Sequence, residues 1–142
     1  MVKPYPPANT RNLRRTRVRQ AVLSCFGASA SPLAVPEITR ALQRRGTKVN
    51  KTSVYRELAT LEQARIVSPV FFDDGLIRYE LTRKEHHHHA VCLSCRTILE
   101  IPLHNEIAKI EKHITTNTKF RVNRHELKFF GVCKNCQFIK RS

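Results

Sequence analysis

The sequence predicts an α+β fold in two lobes, and three observations carry that expectation. Apolar residues at helical spacing dominate the first half, where three helices precede a hairpin signal. The second half alternates short β-prone runs with a single helix. Two Cys-x-x-Cys pairs, Cys92/Cys95 and Cys133/Cys136, bracket that second half, and in a reducing compartment such pairs favour metal ligation over disulfides. The boundary is expected near Thr82 to Glu85, where charge replaces β pattern, dividing the chain into 1–83 and 84–142.

Each element has its own justification. Residues 1–10 are proline-rich and aperiodic, a lead-in without regular structure. From Thr10 onward a first helix is expected, with Val18, Ala21, Val22 and Cys25 on its buried stripe and arginines crowding its beginning. Cys25 reads as a small core hydrophobe. A second helix has Pro36 in its first turn, Ile38, Ala41 and Leu42 inside, and Gly46 as its stop. In the third, NKTSVYRELATLEQARI, Val54, Leu58 and Leu61 share the inner face; Thr52, Arg56, Ala59 and Gln63 share the outer one, with Tyr55 on the flank. VSPVFF and LIRYEL follow as strands joined through Asp73, Asp74 and Gly75. Three helices and a hairpin in that order predict a winged helix-turn-helix. In the second lobe HAVCL and TILEI read as strands, NEIAKIEKHI as a helix and RVNRHELKFFGVC as one long strand.

The charge is large and one-sided. Lys and Arg number 26 against 11 Asp and Glu, net +15, which implies a polyanionic partner such as nucleic acid or an acidic membrane surface. Residues 1–84 carry 16 basic and 6 acidic side chains and are the expected binding lobe. Six basic residues precede the first acid, Glu37. On the third helix Tyr55 and Arg56 are the candidates for base edges, with Thr52 and Ser53 near its N-terminus suited to phosphates. Arg14 and Arg15 are suited to phosphates or a minor groove. No apolar run approaches the roughly 20 residues of a membrane span and none resembles a secretory signal, so the expected location is the cytoplasm.

The second lobe carries the metal chemistry. Cys92, Cys95, Cys133 and Cys136 supply four thiolates for a closed, structural Zn²⁺ site. The 37 residues between the pairs exceed ordinary zinc-ribbon spacing, but a strand, helix and strand can return the chain to its start. Four consecutive histidines, His86 to His89, precede the first pair. If extended, they alternate faces, so His87 and His89 form one half-site and His86 and His88 another. Glu80 and Glu100, in flanking predicted strands, can complete the first as a mixed imidazole and carboxylate sphere suited to Fe²⁺, Zn²⁺ or Mn²⁺. His125 and a helix carboxylate, nearest Glu106, can complete the second. His104 and His113 read as helix-surface residues.

These motifs in this order, TSVYRELATLEQARIV, RYELT, HHHHAVCLSC, TILEI and RHELKFFGVCKNC, resemble the ferric uptake regulator family of bacterial metal-dependent transcription factors. The resemblance implies a winged-helix DNA-binding domain, a small C-terminal α/β dimerisation domain, and a homodimeric repressor that grips double-stranded operator DNA when metal-loaded. It also implies a DNA-contact role for Arg14, Tyr55 and Arg56. Glu80, His87, His89 and Glu100 fall at the family's sensing site, and His86, His88 and His125 at its other site. Two departures stand out. Pro32 occupies the place where many members supply a further sensing histidine, and no histidine occurs before His86. The carboxylate expected on the C-terminal helix meets Ile107, with Glu106 one position away. Glu80 leans toward iron-type sensing; zinc or peroxide sensing within the same family is the alternative. A zinc hydrolase is not expected, since no H-E-x-x-H motif or small-molecule substrate pocket is signalled, whereas a constitutive DNA binder with only structural zinc is the rival the missing histidine favours.

Overall fold

The computed structural model describes residues 13–82 and 86–139, which form two compact units. The lead-in at 1–10, the expected helix start at Thr10 and the boundary residues 83–85 lie outside the described residues.

The first unit runs α1 (Arg17–Gly27), β1 (Leu33–Ala34), α2 (Val35–Arg44), α3 (Lys51–Gln63), β2 (Val67–Phe71) and β3 (Ile77–Leu81). The first helix begins at Arg17, later than expected, because Thr16 is extended and its hydroxyl accepts the Arg19 N–H at 3.1 Å, capping the helix there. Ahead of α2, Ala34 has no capping side chain; the Glu37 carboxylate reaches back to its N–H at 2.7 Å, and Pro36 sits in the first turn. Gly46 ends the segment at φ +77°, a conformation a side chain would strain. Asn50 caps α3, accepting the Ser53 N–H at 2.8 Å. Val22, Ile38, Leu42, Val54, Leu58 and Leu61, fully enclosed, form the heart of this unit's core, with Cys25 among its members as expected.

The hairpin closes the unit as a wing. β2 and β3 pair antiparallel from Val67↔Leu81 to Phe71↔Ile77, and the two-residue β1, not anticipated from sequence, joins the other side of β3. At the tip Asp73 and Gly75 both take positive φ. Asp74 then receives both terminal nitrogens of Arg78, at 3.0 and 2.8 Å, and the guanidinium lies 5.5 Å from the Phe72 ring centre.

The second unit runs β4 (His88–Cys92), β5 (Ile98–Ile101), α4 (His104–Thr118), β6 (Lys128–Gly131) and α5 (Lys134–Gln137). β4 is central, antiparallel to β5 and parallel to β6, a pairing that the α4 crossover makes possible. The long strand expected over 121–133 contracts to Lys128–Gly131, the only stretch of it with a partner: β4 offers His89 to Cys92 and no more. α4 outruns its expected end, and the Thr115 and Thr118 hydroxyls bond to the carbonyls of Glu111 and Ile114 along the added turn. No residue of α4 is buried. Leu99, Phe129, Phe130 and Phe120 stand exposed, so this unit leaves much of its apolar surface uncovered. Among the described residues no helix is long and apolar enough to cross a membrane.

Candidate metal centres and nucleic-acid face

The parallel pairing of β4 with β6 explains the cysteine cluster. Cys92 ends β4 opposite Gly131, so the chain leaving β6 delivers Cys133 beside it. The turn after β4, in which Arg96 takes φ +63°, brings Cys95 back. Cys136 follows Cys133 on α5, where its N–H bonds the Cys133 carbonyl at 3.0 Å. The four sulfurs lie within 4.8 Å of one another, with Cys95 and Cys133 3.7 Å apart, and all four are free thiols. The Cys92 sulfur accepts the N–H groups of Cys133 (3.3 Å) and Cys95 (3.5 Å). Those donors pull its thiol down to about 6, whereas neighbouring Cys133 and Cys95 push Cys136 up to about 12. Four sulfurs this close can all be anionic only with a cation between them, and the donor set fits tetrahedral Zn²⁺.

A second cluster gathers His86, His88 and His125, one nitrogen from each lying within 4.8 Å of the others. The Nε2 atoms of His86 and His125 are 2.6 Å apart. His88 bonds the Leu127 carbonyl, and its own Nε2 is buried without a partner. Burial, then the neighbouring His86 and His125, lowers the His88 imidazole to about 4, so it stays neutral and keeps a lone pair to donate. An orphaned buried nitrogen beside two facing imidazoles fits a bound metal.

Glu106 does not join this cluster. It is exposed at the start of α4, whereas Glu111 bonds His125 Nδ1 at 2.6 Å. Five residues turn a helix by about 140° past a full circle, so Glu106 and Glu111 face different ways, while Ile107 and Glu111, one turn apart, share a face. The i, i+4 step from Ile107 was the signal that could have found Glu111. A cavity of about 560 Å³ adjoins the cluster, lined by His86, His104, Ile107, Glu111, Lys112 and His125. His104, exposed at the start of α4 as expected of a helix-surface residue, borders this cleft. His113 stays on the surface, bonded to Asn117.

The other histidine pair behaves as alternation requires. His87 and His89 have ring centres 4.9 Å apart, and His89, buried, stands opposite Glu100 across β4 and β5. Glu80 lies on β3 of the first unit, opposite Ser68. Pro32 is buried there.

On α3, Thr52, Tyr55 and Arg56 are exposed, Tyr55 to 54% despite its aromatic ring. Ser53 is less free for a phosphate, because its hydroxyl is 3.1 Å from the capping Asn50 oxygen. Arg14 and Arg15 are exposed ahead of α1. Sequence reasoning missed Arg19: it donates to the Arg14 carbonyl and, at 2.8 Å, to Glu57. That side chain ties the basic arm to α3 and neutralises the acid next to Arg56.

A profile of the ferric uptake regulator family matches residues 10–130. The chain belongs to the ferric uptake regulator family. The ferric uptake regulation protein of Neisseria meningitidis serogroup A / serotype 4A is 33% identical over 127 residues, 88% of this chain and 87% of that protein. The solved ferric uptake regulator of Helicobacter pylori, described as having three functional metal-binding sites, aligns with a TM-score of 0.79 at 30% identity, covering 92% of this chain and 87% of that one. A zinc-bound manganese uptake regulator aligns with a TM-score of 0.74 at 30% identity, covering 89% of this chain and 95% of that one. As a ferric uptake regulator family member, the chain is a metal-responsive regulator. On α4 it is Glu111, and not Glu106, that reaches His125.

Proposed function

We propose that this chain is a homodimeric, DNA-binding transcriptional repressor of iron-type specificity, with residues 1–83 gripping operator DNA and residues 84–142 binding metal and dimerising. The observation that carries the reading is the coexistence, in one small unit, of a four-thiolate cluster and a separate convergence of imidazoles. A closed sulfur site suits a permanent structural Zn²⁺; the harder nitrogen and carboxylate donors suit an exchangeable Fe²⁺, Zn²⁺ or Mn²⁺. Glu80, His87, His89 and Glu100 form the proposed regulatory site, and His86, His88 and His125 the second. Arg14, Arg15, Thr52, Tyr55 and Arg56 are the proposed DNA contacts, with Ser53 contributing mainly through the helix cap. Exposed Leu99, Phe129 and Phe130, on β5 and β6, support burial against a second copy.

A metal shifts DNA affinity only through its different affinities for competent and incompetent arrangements of the chain. Anaerobic titration of operator binding with Fe²⁺, Mn²⁺ and Zn²⁺, on protein already holding its structural zinc, tests the reading. Iron-type sensing requires Fe²⁺ to strengthen binding at concentrations where Mn²⁺ does not, and His87→Ala to abolish that response while the fold persists. Pro32 favours one rival, a constitutive DNA binder; it predicts steep salt dependence with no response to any of the three ions.

A further inference from the structure

The cluster of His86, His88 and His125 contains no carboxylate among its converging donors. Its nitrogens are already sorted by their neighbours. His88 spends one ring nitrogen on the Leu127 carbonyl, and since its Nε2 has no partner, the bonded nitrogen is Nδ1. His125 has Nδ1 engaged by Glu111 at 2.6 Å and directs Nε2 at His86 Nε2. Both His125 and Glu111 are largely covered, with side chains 19% and 16% exposed, so the contact is shielded from competing water.

From this geometry we infer that Glu111 is the positioning residue of a three-imidazole metal site. It accepts the His125 Nδ1 proton, holds the ring in the tautomer that presents Nε2 to the ion, and supplies the site's nearby negative charge from outside the ligand set. The inference rests on reading the histidine cluster as a metal site and specifies how that site is held. A Glu111 oxygen placed on Nδ1 engages the ring on the side away from the ligating nitrogen, which is why the carboxylate orients rather than ligates. Carboxylates in that outer position raise imidazole basicity and fix ring orientation, and their loss weakens metal affinity about 10- to 100-fold. Glu106, exposed and on another face of α4, has no part in this arrangement.

The test is Co²⁺ titration of full-length, zinc-loaded protein in a His87→Ala/His89→Ala background, which leaves the three-imidazole site to report through its visible spectrum and through imidazole ¹⁵N resonances. Glu111→Leu is expected to bind Co²⁺ about 10- to 100-fold more weakly. Before Co²⁺ is added, with zinc still on the cysteines, its His125 should become a mixture of tautomers. Glu111→Gln, which keeps an acceptor oxygen, should recover part of both losses, and Glu106→Leu should match the parent. An affinity for Glu111→Leu within about twofold of the parent, or a His125 tautomer unmoved by that change, overturns the inference. His125→Ala separates the two levels: if it binds Co²⁺ like the parent, the metal site itself is refuted, whereas if it loses Co²⁺ while Glu111→Leu does not, only the role of Glu111 falls.

Discussion

Removing one sulfur should unfold one half of this protein and spare the other. In the second unit the buried apolar side chains are few, Val91, Cys92 and Ile98, and α4 buries nothing. Each fully buried aliphatic contributes about 1.5–3 kcal/mol. A structural zinc ion contributes on the order of 10–16 kcal/mol in small zinc domains at neutral pH, more than the two aliphatics together. Cys133→Ser removes one of the four converging sulfurs, at the residue that leads into α5. The first unit keeps its own enclosed core and should be indifferent. The three tyrosines, Tyr5, Tyr55 and Tyr79, all precede residue 83, and there is no tryptophan, so tyrosine fluorescence reports the first half while far-ultraviolet circular dichroism reports both. For Cys133→Ser, urea unfolding followed by fluorescence should superimpose on the parent, while the dichroism loses amplitude before urea is added and sedimentation shows the proposed dimer gone. A variant that retains full dichroism, dimer and one shared transition would refute the claim that the ion, and not the apolar packing, holds this unit together.

Other perturbations separate the remaining roles. Leu58→Ala opens a cavity in the fully enclosed first core and should lower stability by about 2–5 kcal/mol, read as a shifted urea midpoint of tyrosine fluorescence. Asp74→Asn leaves the covered Arg78 guanidinium without its carboxylate and should destabilise by about 1–3 kcal/mol, with operator affinity falling as the wing loosens. Arg56→Ala should weaken operator binding by about 1–3 kcal/mol in competition assays without moving either unfolding transition. Burial lowers the His88 imidazole from its ordinary value near 6.5 to about 4, so the unfolded chain binds more protons between those values; in protein that keeps zinc on its cysteines but has no ion at the histidines, stability of the second unit should decline as pH falls from 6.5 to 4, and His88→Gln should flatten that slope in urea titrations at several pH values.

What could be read from sequence followed strong local rules. The α3 stripe of Val54, Leu58 and Leu61 needed only helical spacing, and the wing needed only two β-prone runs around Asp73, Asp74 and Gly75. The cysteine cluster was legible because two close pairs can do little else in a chain with this topology. The misses required information that spacing does not hold. β1 is two residues long and exists only because β3 offers a partner. The expected strand over 121–133 failed for the converse reason, since β-prone residues stay irregular where no partner strand reaches them. Thr16 set the start of α1 through one side-chain bond that periodicity cannot see. Arg19 looked like one more arm cation until the fold brought Glu57, 38 residues away, to its guanidinium.

With no histidine before His86, a metal signal from the proposed regulatory site needs another route to the first unit. Among the first unit's groups, Cys25 is enclosed in the core with its thiol pushed up by burial, Glu37 caps α2, Glu57 holds Arg19 and Asp74 holds Arg78. Glu80 is the carboxylate that the family pattern puts forward, and its loss should therefore affect coupling more than binding. Allosteric coupling is typically about 1–3 kcal/mol, a factor of about 5 to 150 in affinity, and a single carboxylate bond is enough to carry it if the bond forms in only one arrangement of the chain. In Glu80→Gln the histidines and Glu100 remain, so the ion still binds, more weakly; but the ratio of operator affinity with saturating metal to that without should shrink to within about twofold. Isothermal titration of the metal alongside operator binding at saturating and zero metal measures both quantities on the same protein. If the affinity ratio survives while metal affinity falls, the link runs through another group, and Pro32 has been bypassed by a route that the carboxylate does not supply.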